Sequence, residues 1–468
     1  MNKRAFFIAT AAFILMMTSF NSCKKDTPVI TITTQPESVS IMAGSITGSL
    51  TVAANVTEGA TLSYQWYSNT SNSNAGGTEI SGATAETFAI PTTLVEGTYY
   101  YFCEVRATDG ATSVRSNVAT VTVTSAQGNG TADNPYIIRT PAELDNVRNG
   151  RYAHYKLGND IDLAGYLASG GAGFDKWGAE GWQPIGTATS TTAFFGTLDG
   201  ANFKITGLWI NRTSTDDVGL FGCIAGATVK NLGVEVATGG IKGKDNVGGV
   251  AGSVQGVGSI INCYAVGGAV TGNDYVGGVA GLILNISKIN NSYTACNVSG
   301  NNNVGGVTGY IHSSSISNCY TTGGVSGNNY VGGVAGQIIS GSSGSSISNC
   351  YAAGEVSCGT FNGGGIAGYF GGNQLINCVA LNSGVNAGNG VGRVAGGLQS
   401  GTNNWARNDM TVTELGLPKT LEKGGDKKDG ADCAPIPAAS WWTPAAPNGP
   451  GWSSDIWIFT DGQLPKLK

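Results

Sequence analysis

The chain has little charge. Asp, Glu, Lys and Arg make up 12% of 468 residues, about half the usual share, and the formal net charge is only −5. No basic patch stands out, which speaks against a nucleic-acid partner. Two histidines, His154 and His312, cannot build a histidine-rich metal site, and no metal or cofactor is implied. Beyond Met17 no apolar run is long enough to cross a bilayer as a helix. The 74 glycines never fall at every third position, so a collagen helix is excluded.

Lys3 and Arg4 open a basic start, and Ala5 to Met17 is apolar apart from Thr10. That run is short for a membrane span and reads as a secretory signal. Ser19, Asn21 and Ser22 then lead to Cys23. A signal ending on cysteine resembles a bacterial lipoprotein leader. The resemblance implies removal of residues 1–22, acylation of Cys23 and a stable membrane anchor. Phe20 and Asn21 depart from the usual cleavage box. Lys24-Lys25-Asp26 resembles the tether that carries some Gram-negative lipoproteins outward, so the expected location is the outer membrane, facing outside. The alternative is an ordinary signal with Cys23 incidental.

Residues 28–124 hold short β-rich runs: 29–33, 49–56, 62–67, 87–90, 99–105 and 118–123, separated by Gly, Asn and Ser. This spacing predicts a β-sandwich. Trp66 on the third strand, and Tyr101 two residues before Cys103, resemble the immunoglobulin-like fold. The second strand carries Val52 and Ala54 instead of cysteine, so Cys103 is expected as a buried free thiol. A linker follows at 125–134, and Thr140-Pro-Ala-Glu143 predicts a capped helix laid over the open end of the next domain. Asp160, Asp162, Asp199, Asp216 and Asp217 form the largest collection of acids. They read as turn residues.

Between Val218 and Gly396 one phrase recurs seven times, from Val218-Gly-Leu-Phe-Gly222 through Val276-Gly-Gly-Val-Ala-Gly281 to Val391-Gly-Arg-Val-Ala-Gly396. The copies start 29, 29, 28, 27, 32 and 28 residues apart, a period that means stacked units sharing one core. A second phrase interleaves, as in Ile316-Ser-Asn-Cys-Tyr320, and a third follows, as in Gly300-Asn-Asn-Asn303. Gly and Asn reach positive φ cheaply, so they are expected at the corners. One repeat per coil gives a β-solenoid. Asn231, Asn262, Asn291, Asn318, Asn349 and Asn377 would then stack as an amide ladder. Cys263, Cys319, Cys350 and Cys378 would form a column, interrupted by Ser292 and begun by Leu232, which marks it as buried, reduced packing. Gly363 and Arg393 depart from the phrase, predicting less regular last coils.

Gly-Leu-Phe-Gly at 219–222, the later Gly-Gly-Val-Ala-Gly copies and Asn-Cys-Tyr together resemble the GLUG-motif repeats of bacterial surface proteins. Trp182-Gln-Pro-Ile-Gly186 and Phe195-Gly-Thr-Leu-Asp-Gly200 resemble their lead-in. The resemblance covers roughly 131–404. It implies a β-helix, right-handed, in a surface or adhesion setting, and brings no catalytic residues. β-Helices elsewhere include polysaccharide lyases and hydrolases, which need paired carboxylates. From Val218 to Gly396 the acids are Glu235, Asp245, Asp274 and Glu355, with no corner expected to pair them in adjacent repeats.

Residues 405–468 hold Trp405, Trp441, Trp442, Trp452 and Trp457. They read as a cap over the last coil, with Trp441, Trp442 and Trp452 as candidates for stacking on sugar rings. The expected architecture is all-β: signal 1–22, sandwich 28–124, linker 125–134, solenoid 135–404 with entry coils 135–217 and repeats 218–404, and cap 405–468. The expected protein is a monomeric, non-catalytic lipoprotein binding a glycan or a host protein. The alternatives are a polysaccharide-active enzyme and an inert spacer.

Overall fold

The computed structural model describes residues 26–42, 46–124, 128–187 and 191–468. The expected signal and the lipidation site Cys23 lie outside the described residues. The chain forms two compact units, Met1–Gln127 and Gly128–Lys468.

In the first unit, Leu62–Asn69, Gly97–Ala107 and Ala119–Thr124 pair antiparallel, and Val39–Met42 adds a parallel edge. The run 49–56 is two strands rather than one. Ser49–Thr51 pairs with Thr87–Ala89, whereas Ala53–Val56 pairs with Ile30–Thr34. The break falls at Val52, whose N–H donates to Glu86 O at 2.9 Å. Val52, Trp66, Tyr101, Cys103 and Val121 are buried together. Trp66 Nε1 donates to Ala85 O at 2.9 Å, which satisfies its one polar atom. Cys103 is free, and burial pushes its thiol up to about 11.

The second unit is a β-solenoid of about eight turns. Its coils stack as parallel sheets. One face runs from Tyr136–Ile138 to Gln374–Ile376, and a second, built on the glycine phrases, from Phe221–Ala225 to Ala395–Leu398. The remaining strands of each coil form the third. Register is like upon like. Val229, Ile260, Ile289, Ile316, Ile347 and Leu375 are successive Cα partners and all fully buried. So are Ile224, Val254, Ile283, Ile311, Ile338 and Phe370. A single coil could not bury these rows. Each is covered by the coil above and below.

Asparagine makes the corners. Asn231, Asn262, Asn291, Asn318, Asn349 and Asn377 all have φ between 51° and 56°. A second left-handed column precedes the glycine phrases: Asp217, Asn246, Tyr275, Asn303, Tyr330 and Asn362. The phrase glycines serve another purpose. A Cβ on Gly305 would stand 2.0 Å from Thr308 O and 2.7 Å from Ala335 Cα of the next coil. They are glycine because the chain there has no room for a side chain.

At the start of the solenoid Thr140 caps the helix Pro141–Asn146. Glu143 N–H donates to Thr140 Oγ1 at 3.2 Å and Thr140 N–H donates back to Glu143 Oε2 at 3.0 Å. Leu144 and Val147 face inward and are fully buried. At the other end the expected irregularity falls just before Gly363, where the register shifts between Gly327 and Asn329 as they pair with Cys358 and Phe361; Gly363 itself pairs in line with Val331 and Val391. Arg393 is fully buried. It is held by Asp432 Oδ1 at 2.7 Å, Gly430 O at 3.0 Å and Arg407 O at 3.1 Å, so its charge is partnered.

Candidate functional site

The amide ladder is a structural device. Asn262 Nδ2 donates to Asn231 Oδ1 at 3.1 Å, Asn318 to Asn291 at 3.1 Å, Asn349 to Asn318 at 3.2 Å and Asn377 to Asn349 at 3.3 Å. Two residues outside the expected set extend it. Asp199 Oδ1 accepts from Asn231 at 3.0 Å, and Asn403 donates to Asn377 at 2.8 Å. Both stand one period away, so spacing alone could have found them.

The acids are distributed differently from expectation. Asp216, Asp217, Asp245 and Asp274 come to one edge on successive coils, because the loop before each glycine phrase returns to the same corner. Each is occupied. Lys244 Nζ lies 3.3 Å from Asp216 and 3.1 Å from Asp245. Asn246 Nδ2 donates to Asp217 at 3.1 Å, Asn273 to Asp245 at 3.0 Å and Asn302 to Asp274 at 2.7 Å. Burial would raise Asp245, but the hydrogen bond from Asn273 and the Lys244 ammonium hold it below the ordinary carboxylate range. A general acid needs the opposite shift. Asp162 accepts from Ala164 N–H at 2.9 Å and Asp160 from Lys204 N–H at 2.9 Å. Among the described residues no group of three His, Cys, Asp or Glu is placed to hold a metal ion.

The tail corrects two candidates. Trp442 and Trp452 are 1% and 2% exposed, so neither ring can stack on a sugar. Trp441 is half-buried against Trp405 and Trp442, with ring centroids 5.1 Å away in each case. The tryptophans also lie along the flank of the solenoid instead of simply closing its last coil. Tyr264, Tyr293, Tyr320 and Tyr351 stack outward with centroids 5.0, 4.6 and 4.8 Å apart. Trp457 packs on Tyr320 and Tyr351, and Trp452 on Tyr351. Tyr351 OH donates to Pro465 O at 2.7 Å, and Trp452 Nε1 to Asn377 O at 2.8 Å. The second phrase supplied these tyrosines, but nothing in sequence joined them to the tail.

The nine described cysteines are buried and free. Leu232, Cys263, Ser292, Cys319, Cys350 and Cys378 share a column that ends on Asn404. Cys263 N–H donates to Ser292 Oγ at 3.1 Å and Cys378 N–H to Asn404 Oδ1 at 3.0 Å, so the position also satisfies backbone at the turn. Burial pushes Cys263 up to about 12 and raises Cys350 and Cys378 well above an ordinary thiol.

An open groove remains, about 280 Å³, where the first face meets a corner. Ser287, Ser314 and Ser345 form its floor. Ser287 N–H donates to Ser314 Oγ at 3.2 Å and Ser314 N–H to Ser345 Oγ at 3.4 Å. Lys288, Ser315, Ser346 and Gln374 are successive register partners on its wall. Lys288 and Gln374 are exposed and the two serines half-buried. The groove offers hydroxyls, the amides of Asn373 and Gln374, and one ammonium. It can hydrogen-bond a polar ligand, and it contains no acid. Sequence reading missed it because Ser-rich loops look like ordinary turns.

No known protein-family profile matches the chain. A "Putative Gly-rich membrane protein" of Evansella cellulosilytica is 46% identical over 110 residues, which are 23% of this chain and 12% of that protein. Halomucin of Haloquadratum walsbyi is 36% identical over 155 residues, 32% of this chain and 2% of that protein. The chain thus spans a small part of the curated relatives it matches. Among solved structures, the "putative immunoglobulin A1 protease" from Bacteroides ovatus superposes with a TM-score of 0.50 at 22% identity, covering 73% of this chain and 94% of that one. That likeness shows the fold, an all-β protein built on a β-solenoid.

Proposed function

We propose that the protein is a lipid-anchored surface protein that binds glycans without catalysis. In this reading residues 1–22 are a lipoprotein signal and Cys23 carries the acyl chains on the outer membrane of a Gram-negative cell. Residues 28–124 are an immunoglobulin-like spacer, joined by 125–134 to a GLUG-type β-helix. The helical N-terminal cap and the tryptophan-rich tail protect that rod. The membrane setting is supported by the name of the Evansella relative. The observation that carries ligand binding is the serine groove, where polar side chains from four coils converge on open space. Neutral hydroxyls and amides suit the hydroxyl groups of sugars.

The test uses whole cells and purified protein. Cys23→Ala should move the protein from the membrane fraction to the soluble fraction. On a glycan array the wild type should retain a subset of glycans, and Lys288→Ala with Gln374→Ala should weaken them. Retention of no glycan by folded protein would end the binding reading. Membrane retention of the Cys23→Ala variant would end the anchoring reading.

A further inference from the structure

The glycine-phrase face carries a second feature, unrelated to the serine groove. Its outward column reads Leu282, Tyr310, Gln337, Tyr369 on four successive coils, each the Cα partner of the next. The left-handed corner beside it reads Tyr275, Asn303, Tyr330, Asn362. Tyrosine therefore returns every second coil in both columns. The two columns meet ring to ring. Tyr275 and Tyr310 sit with centroids 5.4 Å apart and planes at 73°, and Tyr330 and Tyr369 with centroids 6.1 Å apart and planes at 73°.

We infer that these two tyrosine pairs form a binding site for an extended, uncharged polysaccharide chain running along the solenoid axis. The inference rests on the glycan-binding reading and assigns it a second site and a ligand class. Two coils advance about 10 Å at the spacing of paired strands. That is close to the advance of one disaccharide unit in an extended chain, so alternate sugars would meet alternate pairs. In an edge-to-face pair the edge-on ring keeps both its faces clear of its partner, and a pyranose ring stacks on such an apolar face. All four rings are partly exposed. Gln337 stands between Tyr310 and Tyr369, and its amide makes no hydrogen bond among the described residues. This amide is placed where the hydroxyls of the intervening sugar would pass. The four strands Ala280–Leu284, Thr308–His312, Ala335–Ile339 and Ala367–Gly371 contain no Asp, Glu, Lys or Arg. A polyuronate would find no cation there, whereas a neutral chain needs none.

The experiment is affinity electrophoresis and calorimetry with the full chain on soluble neutral β-glucans and on their oligosaccharides of two, four and six units. Wild type should bind the four-unit chain at least tenfold more tightly than the two-unit chain, because only the longer one spans both pairs. Tyr369→Ala should abolish that length preference while leaving weak binding of the short chain. Gln337→Tyr, which fills the gap, should shorten the preferred length. Circular dichroism melts would establish that the variants fold. If binding occurs with no length preference, or survives Tyr310→Ala with Tyr369→Ala, the assignment is overturned while glycan binding itself stands. If folded wild type binds charged or other glycans on the array but no neutral chain, the ligand class is overturned. If it binds none, both readings fall.

Discussion

Asn318 gives the sharpest test of how the solenoid is built. It sits at φ 53° in the middle of the amide ladder. Its Nδ2 donates to Asn291 at 3.1 Å and its Oδ1 accepts from Asn349 at 3.2 Å. Asn318→Ala removes both bonds, each contributing about 1 kcal/mol net. It also places alanine, which lacks asparagine's tolerance of the left-handed region, in that conformation, at roughly 1–2 kcal/mol. The expected loss is about 3–4 kcal/mol. Asn318→Gly removes the same bonds but tolerates the backbone, so its loss should be near 2 kcal/mol, with part of that from glycine's extra freedom when unfolded. Urea midpoints followed by far-ultraviolet circular dichroism would rank wild type first, glycine second and alanine last. Midpoints are the proper comparison, since stacked repeats need not unfold in one step. If alanine were as well tolerated as glycine, the corner argument would fail. If both matched wild type, the ladder would be an ornament of the repeat and not a support.

Gly305→Ala should destabilise by about 3 kcal/mol or more, as overpacking against neighbouring backbone does, and its urea midpoint should fall below that of a Gly-to-Ala control at Gly165, which is exposed in the same unit with open space around its Cβ position. Trp452→Ala should cost roughly 3–5 kcal/mol and loosen the tail, seen as new proteolytic cleavage between residues 434 and 468 with the coils intact. Cys263 and Cys433, both pushed up to about 12 by burial, should resist alkylation at pH 8.5 until the protein is unfolded. Rapid native labelling would refute their packing role. Asp145 is driven upward by burial, but the hydrogen bond from Lys176 and the charge of Arg148 bring it below the usual carboxylate range. Its folded value lies under its unfolded one, so its contribution is full above about pH 4 and is lost as pH falls through the folded value. Asp145→Asn should lower the melting temperature at pH 7 and flatten its decline in acid.

The solenoid was legible because repetition exposes position. A period near 28 residues places identical side chains on one another, and rows such as Ile260, Ile289, Ile316 and Ile347 announce a shared interior. The Thr140 cap was legible because its determinants lie within four residues. The split of 49–56 was not legible, since both halves have the same strand-like composition and only their partners differ. The acidic edge was legible but overlooked: Asp216, Asp245 and Asp274 each stand two residues before successive glycine phrases and 29 residues apart, so the period that stacks the phrases stacks them too.

Sequence by itself determined the stacking, the asparagine corners and the buried thiol column, because each follows from residues one period apart. Tertiary structure alone decided which aromatic rings are available. The tail's tryptophans were indistinguishable from surface platforms until they were seen against Tyr320 and Tyr351, more than 100 residues earlier. The outward tyrosine pairs emerge only when two columns from different parts of the coil are brought side by side. Burial is a property of what lies across a contact, and a linear chain does not state its long-range contacts.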